Sequence, residues 1–143
     1  METIVVGVDG SDASVNALRW ALHEARLRTA RVRVVLAWSY PQVSTYHEAK
    51  HVLQIPFAED AAAFLDQVVA DTAAAAEGLE IEKKVVEGQA APALVEAARD
   101  ASMLVVGSRG LGGFSGLLLG SVSQQCAHHA TCTLVIVRQG SDA

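Results

Sequence analysis

Short β-branched runs alternate with helical stripes along the whole chain, and this alternation restricts the possible folds more than any other feature. Thr3–Val8 is a β-branched run ending at Asp9-Gly10-Ser11-Asp12, residues with turn and N-cap chemistry. Val15, Leu18, Leu22 and Ala25 then recur at helical spacing with Asn16, Arg19, His23 and Arg26 between them, which predicts a helix with one buried face. Val32–Trp38 reads as a second buried strand, ended with the help of Pro41. Residues 39–56 contain Pro41 and Pro56 and read as a surface loop with room for a short helix. From Ala58 to Glu77 alanine dominates and Phe64, Leu65, Val68, Val69, Thr72 and Ala76 form a stripe, so one helix is predicted. Glu80–Val86 reads as a third strand nearer a sheet edge. Pro92 suits the first turn of a helix carrying Leu94, Val95 and Ala98, and Met103–Val106 is a fourth strand. A glycine-rich loop, a helix from about Ser121 to His129 and a strand Thr133–Val137 complete the pattern.

Strands alternating with helices, none showing a polar face, imply parallel pairing through right-handed crossovers. The predicted architecture is one α/β domain over residues 1–143: an open doubly wound, Rossmann-like sheet with helices on both faces. Half of the 143 residues are apolar, enough for a substantial core. The net charge of −5, with acids and bases interspersed, argues against electrostatic binding of nucleic acid. No apolar stretch approaches the roughly 20 residues that span a bilayer. Met1-Glu2-Thr3 leads directly into Ile4-Val5-Val6 with no basic flank, so a cytoplasmic protein is expected. Cys126 and Cys132 match no metal or redox spacing; they read as small apolar fillers, with a redox pair as the alternative.

In doubly wound sheets, ligands bind beyond the carboxyl ends of the strands, where strand order reverses. The fourth strand ends in Gly107-Ser108-Arg109-Gly110-Leu111-Gly112-Gly113-Phe114-Ser115-Gly116, followed by Leu117–Leu119 and Gly120-Ser121. Six glycines in fourteen residues between a buried strand and a helix permit close backbone approach and a concave run of N–H groups. The helix beginning at Ser121 adds its positive dipole end, so phosphate is the natural guest; a merely flexible loop is the plainer alternative. The loop contains no lysine, which excludes a P-loop. From Gly110 and Gly112, the third glycine of a dinucleotide fingerprint should fall at 115, which is Ser115.

Gly107-x2-Gly110-x9-Gly120-Ser121 resembles, in each fixed position, the nucleotide-binding signature of the universal stress protein family. The likeness extends to Ile4-Val5-Val6-Gly7-Val8-Asp9-Gly10-Ser11, to Val34-Val35-Leu36-Ala37-Trp38 and to Thr133-Leu134-Val135-Ile136-Val137. The resemblance implies five parallel strands in the order 3-2-1-4-5, with the switch point between strands 1 and 4. It further implies ATP, with Mg2+, held by Gly107, Gly110, Gly120, Ser121 and Val122, with Val106 at the strand end. Val8 and Asp9 would hold the nucleoside, and Trp38 would flank the base, either stacking on adenine or crowding it. A two-fold homodimer through Thr133–Val137, an apolar edge strand in that order, is likewise implied.

Other residues admit two readings each. Asp9 is a ligand group or a helix cap, although Ser11 and Asp12 are better placed as caps. Arg109 pairs with phosphate or is simply solvated. Ser108 and Ser115 satisfy local backbone. His47 and His51 share a helical face but lack a third metal ligand, whereas His128 and His129 suit a helix C-terminus. Trp20 reads as packing. No nucleophile elbow or acid–base pair stands out. The leading expectation is a nucleotide-binding stress or regulatory protein with little or no turnover. The alternatives are an interaction module without nucleotide and an adenine-nucleotide enzyme such as a slow ATPase.

Overall fold

The computed structural model describes residues 1–39, 57–109 and 119–138. Five parallel strands, β1 (Thr3–Gly7), β2 (Arg31–Trp38), β3 (Ile81–Glu87), β4 (Met103–Gly107) and β5 (Thr133–Val137), form one sheet. Their order is β3-β2-β1-β4-β5. The helices are α1 (Asp12–Arg28), α2 (Phe57–Asp71), α3 (Ala73–Ala76), α4 (Ala90–Ala97) and α5 (Ser121–His129). The predicted five-stranded order and the alternating α/β pattern are therefore present, with strand ends shifted by a residue or so.

Period-two alternation sorts the strand side chains onto two cores. Ile4, Val6, Val32, Val34, Leu36, Met103 and Val105 pack with Leu18, Leu22 and Leu65, beneath α1 and α2. On the other face Val5, Val35, Leu104 and Val106 pack with Leu94, Ala97 and Cys126, beneath α4 and α5. The helices that lead outward to β3 and those that lead to β5 thus cover opposite faces, and the order reverses between β1 and β4.

Two helix readings change. In α1 the buried stripe is Ala13, Ser14, Ala17, Leu18, Ala21, Leu22 and Ala25. Val15 is only half-buried, because the small residues bring this helix close to the sheet. The alanine-rich stretch is two helices broken at Thr72, which is 4% exposed. Its Oγ1 donates to Val69 O at 3.0 Å, and its N–H goes to the same carbonyl at 3.1 Å. A hydroxyl competing for the preceding carbonyls ends the regular ladder despite the helix propensity around it.

Arg33, with a side chain 13% exposed, fastens the end of the sheet remote from the switch point. Its Nε donates to Glu82 Oε2 at 2.8 Å, and Nη1 donates to Ala97 O at 2.7 Å and to Asp100 Oδ1 at 3.0 Å. Cys126 and Cys132 are unpaired thiols beside the α4–α5 core, as fillers would be. Trp20 packs against the α1 core, and His128 and His129 stand in the last turn of α5. Among the described residues no helix is long and apolar enough to cross a membrane. The loop reading of 40–56, with His47 and His51, falls outside the described residues.

Candidate functional site

The turn after β1 is built by Ser11. As N-cap of α1 its Oγ accepts from Ser14 N–H at 3.2 Å, and it donates to Asp9 Oδ1 at 2.6 Å. Ser11 N–H also reaches Asp9 Oδ1, at 2.9 Å. Ser14 Oγ returns to the turn, accepting from Asp9 N–H at 3.2 Å and donating to Ser11 O at 2.9 Å. The cap role weighed for Asp9 thus belongs to Ser11, and one Asp9 oxygen fixes that cap in place. Gly10 makes the turn possible with φ +89, and a Cβ there would lie 2.5 Å from Phe64 Cζ of α2.

Beyond the carboxyl ends of β1 and β4 lies a cleft lined by Gly7, Val8, Asp9, Ser14, Val35, Ala37, Ala90, Leu94, Val106, Gly107, Arg109 and Val122. The cleft has a volume of about 70 Å³. The floor is apolar, and Asp9 and Arg109 are the charged residues among the described lining. α5 begins at N-cap Gly120, which has no side chain to cap it, and its positive dipole end favours an anion.

Six of the sequence-predicted residues meet at this cleft: Val8, Asp9, Val106, Gly107, Arg109 and Val122. Gly120 and Ser121 stand beside it as N-cap and first residue of α5. Gly110 lies outside the described residues, as do the other loop glycines Gly112, Gly113 and Gly116. Trp38 is elsewhere: it packs against the α1–α2 core on the opposite face. Its neighbour Ala37 lines the cleft, because successive strand residues point to opposite faces. The sequence reading also missed Gly7, Ser14, Val35, Ala90 and Leu94. Strand alternation points to Val35 and Ala37 together, and the i, i+4 spacing of Ala90 and Leu94 sets both on one face of α4.

Among the described residues no group of three or more His, Cys, Asp and Glu side chains could hold a metal ion. Burial pushes the Cys126 thiol up to about 11 and raises that of Cys132, so neither is set up as a nucleophile.

The model of the universal stress protein family matches residues 1–138. A universal stress protein of Mycobacterium tuberculosis is 34% identical over 144 residues, covering 99% of this chain and 50% of that protein; the chain spans about half the length of that relative. Among solved structures, a universal stress protein in complex with cAMP is 35% identical, with a TM-score of 0.69 over 95% of this chain and 96% of that one. The universal stress protein from Archaeoglobus fulgidus in complex with dAMP is 26% identical, with a TM-score of 0.64 over 96% and 98% of the two chains. The strand order, the position of the cleft and these likenesses agree: the chain belongs to the universal stress protein family.

Proposed function

We propose that this chain is a nucleotide-binding stress protein, acting as one domain, that holds ATP in the cleft between β1 and β4 and works through occupancy with little or no turnover. The observation that carries the reading is the cleft's composition at the switch point. An apolar floor of Val35, Ala37, Ala90 and Leu94 suits a flat adenine ring and shares the cleft with Asp9 and Arg109. The uncapped start of α5 favours phosphate, and Asp9 offers acceptors for ribose hydroxyls. The cAMP and dAMP complexes of related proteins support an adenine ligand.

The described lining contains one carboxylate, Asp9, too few donors for a protein-built divalent cage. Mg2+ would therefore be held by the triphosphate, and when bound it offsets phosphate charge. Asp9 orients the sugar, Arg109 faces the anion, and the apolar floor excludes water from the ring. Occupancy then alters the surface offered to other proteins. We place a homodimer at β5, the sheet-edge strand, where Leu134, Val135 and Ile136 stay half-buried in the single chain.

The test is calorimetric titration of nucleotide-free protein with Mg-ATP, AMP and cAMP, alongside Ala37→Leu and Trp38→Phe. Binding lost at least tenfold in Ala37→Leu and kept in Trp38→Phe is expected, since the added side chain occupies the space meant for the ring. No saturation of the wild type by any of the three at millimolar ligand overturns the reading. A monomer in sedimentation at micromolar concentration removes the dimer.

A further inference from the structure

Ser123 is 1% exposed and Ser108 is 4% exposed, an unusual pair of hydroxyl residues to bury beside an apolar cleft. Ser123 Oγ lies 3.2 Å from Ser108 O and 3.0 Å from Gly120 O, so its single proton is shared between two carbonyls. The bond to Gly120 O, three residues back, is the common local habit of serine in a helix. The bond to Ser108 O is different, because it joins segments fifteen residues apart. Ser108 O also accepts from Gly120 N–H at 2.6 Å, while Ser108 N–H donates to Val137 O at 2.8 Å. Gly120 O accepts in addition from Gln124 N–H at 3.0 Å. One buried node thus ties the residues that follow β4, those that open α5, and the end of β5.

Both strands of this node lead directly to the cleft: Arg109 follows Ser108, and Val122 precedes Ser123. We propose that Ser123 is a positioning residue for the nucleotide site, holding the Arg109 side of the cleft in register with the amino end of α5. The inference rests on the adenine-nucleotide reading above. Ser123 itself touches no ligand; it fixes the separation of two groups that do. Losing its proton leaves Ser108 O and Gly120 O each with one backbone donor, so the fold survives while the register loosens.

A control exists at the opposite end of β4. Ser102 Oγ donates to Thr3 O at 3.1 Å, and Ser102 N–H reaches the same carbonyl at 3.0 Å. Ser123→Ala and Ser102→Ala each remove a hydroxyl–carbonyl bond at an end of β4, one near the cleft and one far from it. The experiment titrates AMP and Mg-ATP into wild type and both variants, with urea unfolding of each and amide exchange at Gly120. Ser123→Ala is expected to weaken both nucleotides about fivefold, the worth of roughly one net hydrogen bond, and to speed Gly120 exchange. Ser102→Ala should lose some stability and keep full affinity. Ser123→Cys, with a similar volume and a weaker donor, should fall between wild type and Ser123→Ala, and it supplies the comparison if the alanine variant folds poorly. Unchanged affinity in the Ser123 variants, or an equal loss in Ser102→Ala, overturns the positioning role and leaves the nucleotide reading standing. A wild type that binds neither nucleotide overturns both.

Discussion

A single methyl group added at Gly107 separates packing from ligand contact at the first glycine of the signature. A Cβ there would lie 2.9 Å from both the carbonyl carbon and oxygen of Ala13, and 3.0 Å from its Cβ. These atoms belong to the backbone and stem of the first turn of α1, so no rotamer change relieves them. Gly7 supplies the contrast, because its Cβ would meet Leu94 Cδ1 at 2.6 Å and Cδ2 at 2.9 Å, atoms at the end of a side chain that can turn. Overpacking costs about 1–3 kcal/mol, which places Gly107→Ala near 3 and Gly7→Ala near 1 kcal/mol. With a urea slope of about 2 kcal/mol per M, the Gly107→Ala midpoint falls by about 1.5 M, and Tm falls by about 10 °C. Trp20 and Trp38 both pack against the core beneath α1, so their fluorescence follows the transition. A Gly107→Ala midpoint within about 0.3 M of wild type, or a larger loss in Gly7→Ala, refutes the packing argument.

Arg33→Met leaves Ala97 O without its guanidinium donor and should cost about 2 kcal/mol by urea unfolding. The hydrogen bond and charge of Arg33 hold the Asp100 carboxyl below its ordinary value of 3.8. That contribution is complete above the unfolded pKa and fades as pH falls through the folded one, so wild-type and Arg33→Met stabilities should converge in acid; curves that stay parallel below pH 3.8 contradict the linkage. Thr29 caps α1 in the left-handed region, at φ 56 and ψ 45, where a side chain costs about 1–2 kcal/mol. Thr29→Gly should therefore stabilise by about 0.5–1 kcal/mol after glycine's own entropy is counted, and a lower Tm would count against strain at this cap. Because Cys126 is fully buried and its thiol sits at about 11, a disulfide reagent at pH 8 should label it only after urea is added. Native-state labelling mapped to Cys126 by mass spectrometry would show that the α4–α5 core opens.

The strands were legible because each is a short β-branched run closed by turn residues, and both faces of the central ones are buried. That same two-sided burial hid which face each residue takes. Val34 and Leu36 join one core and Val35 the other, so Trp38 and Ala37 had to part in the same way. Nothing in an apolar run says which side carries the cleft; that depends on α4 and α5 covering the face of Val35. The stripe of α1 departs from Val15 because alanines at 13, 17, 21 and 25, and not only the large side chains, make up its buried face. The break at Thr72 was hidden by the alanines around it, and the Ser123–Ser108 bond by its span in sequence. Of the site, the ends of β1 and β4 were readable from turn and glycine chemistry. The apolar floor required knowing which helices lie above it.

Gly7 and Gly107 end the two central strands and face opposite sides of the sheet. At Gly7 the missing Cβ admits Leu94 of α4; at Gly107 it admits the first turn of α1. The two absences draw helices inward on both faces at the one place where strand order reverses. α1 brings its Ser11–Asp9 turn to the cleft rim, and α4 brings Ala90 and Leu94 to the floor. A cleft at a switch point follows from topology, but its narrow apolar floor follows from side chains that are not there. Substitutions at either glycine would therefore weaken a ligand even without touching it, through the helices they displace. Affinity lost at Gly107 counts as ligand contact only when it exceeds what the shift of α1 explains. The urea midpoint of that same variant supplies the comparison.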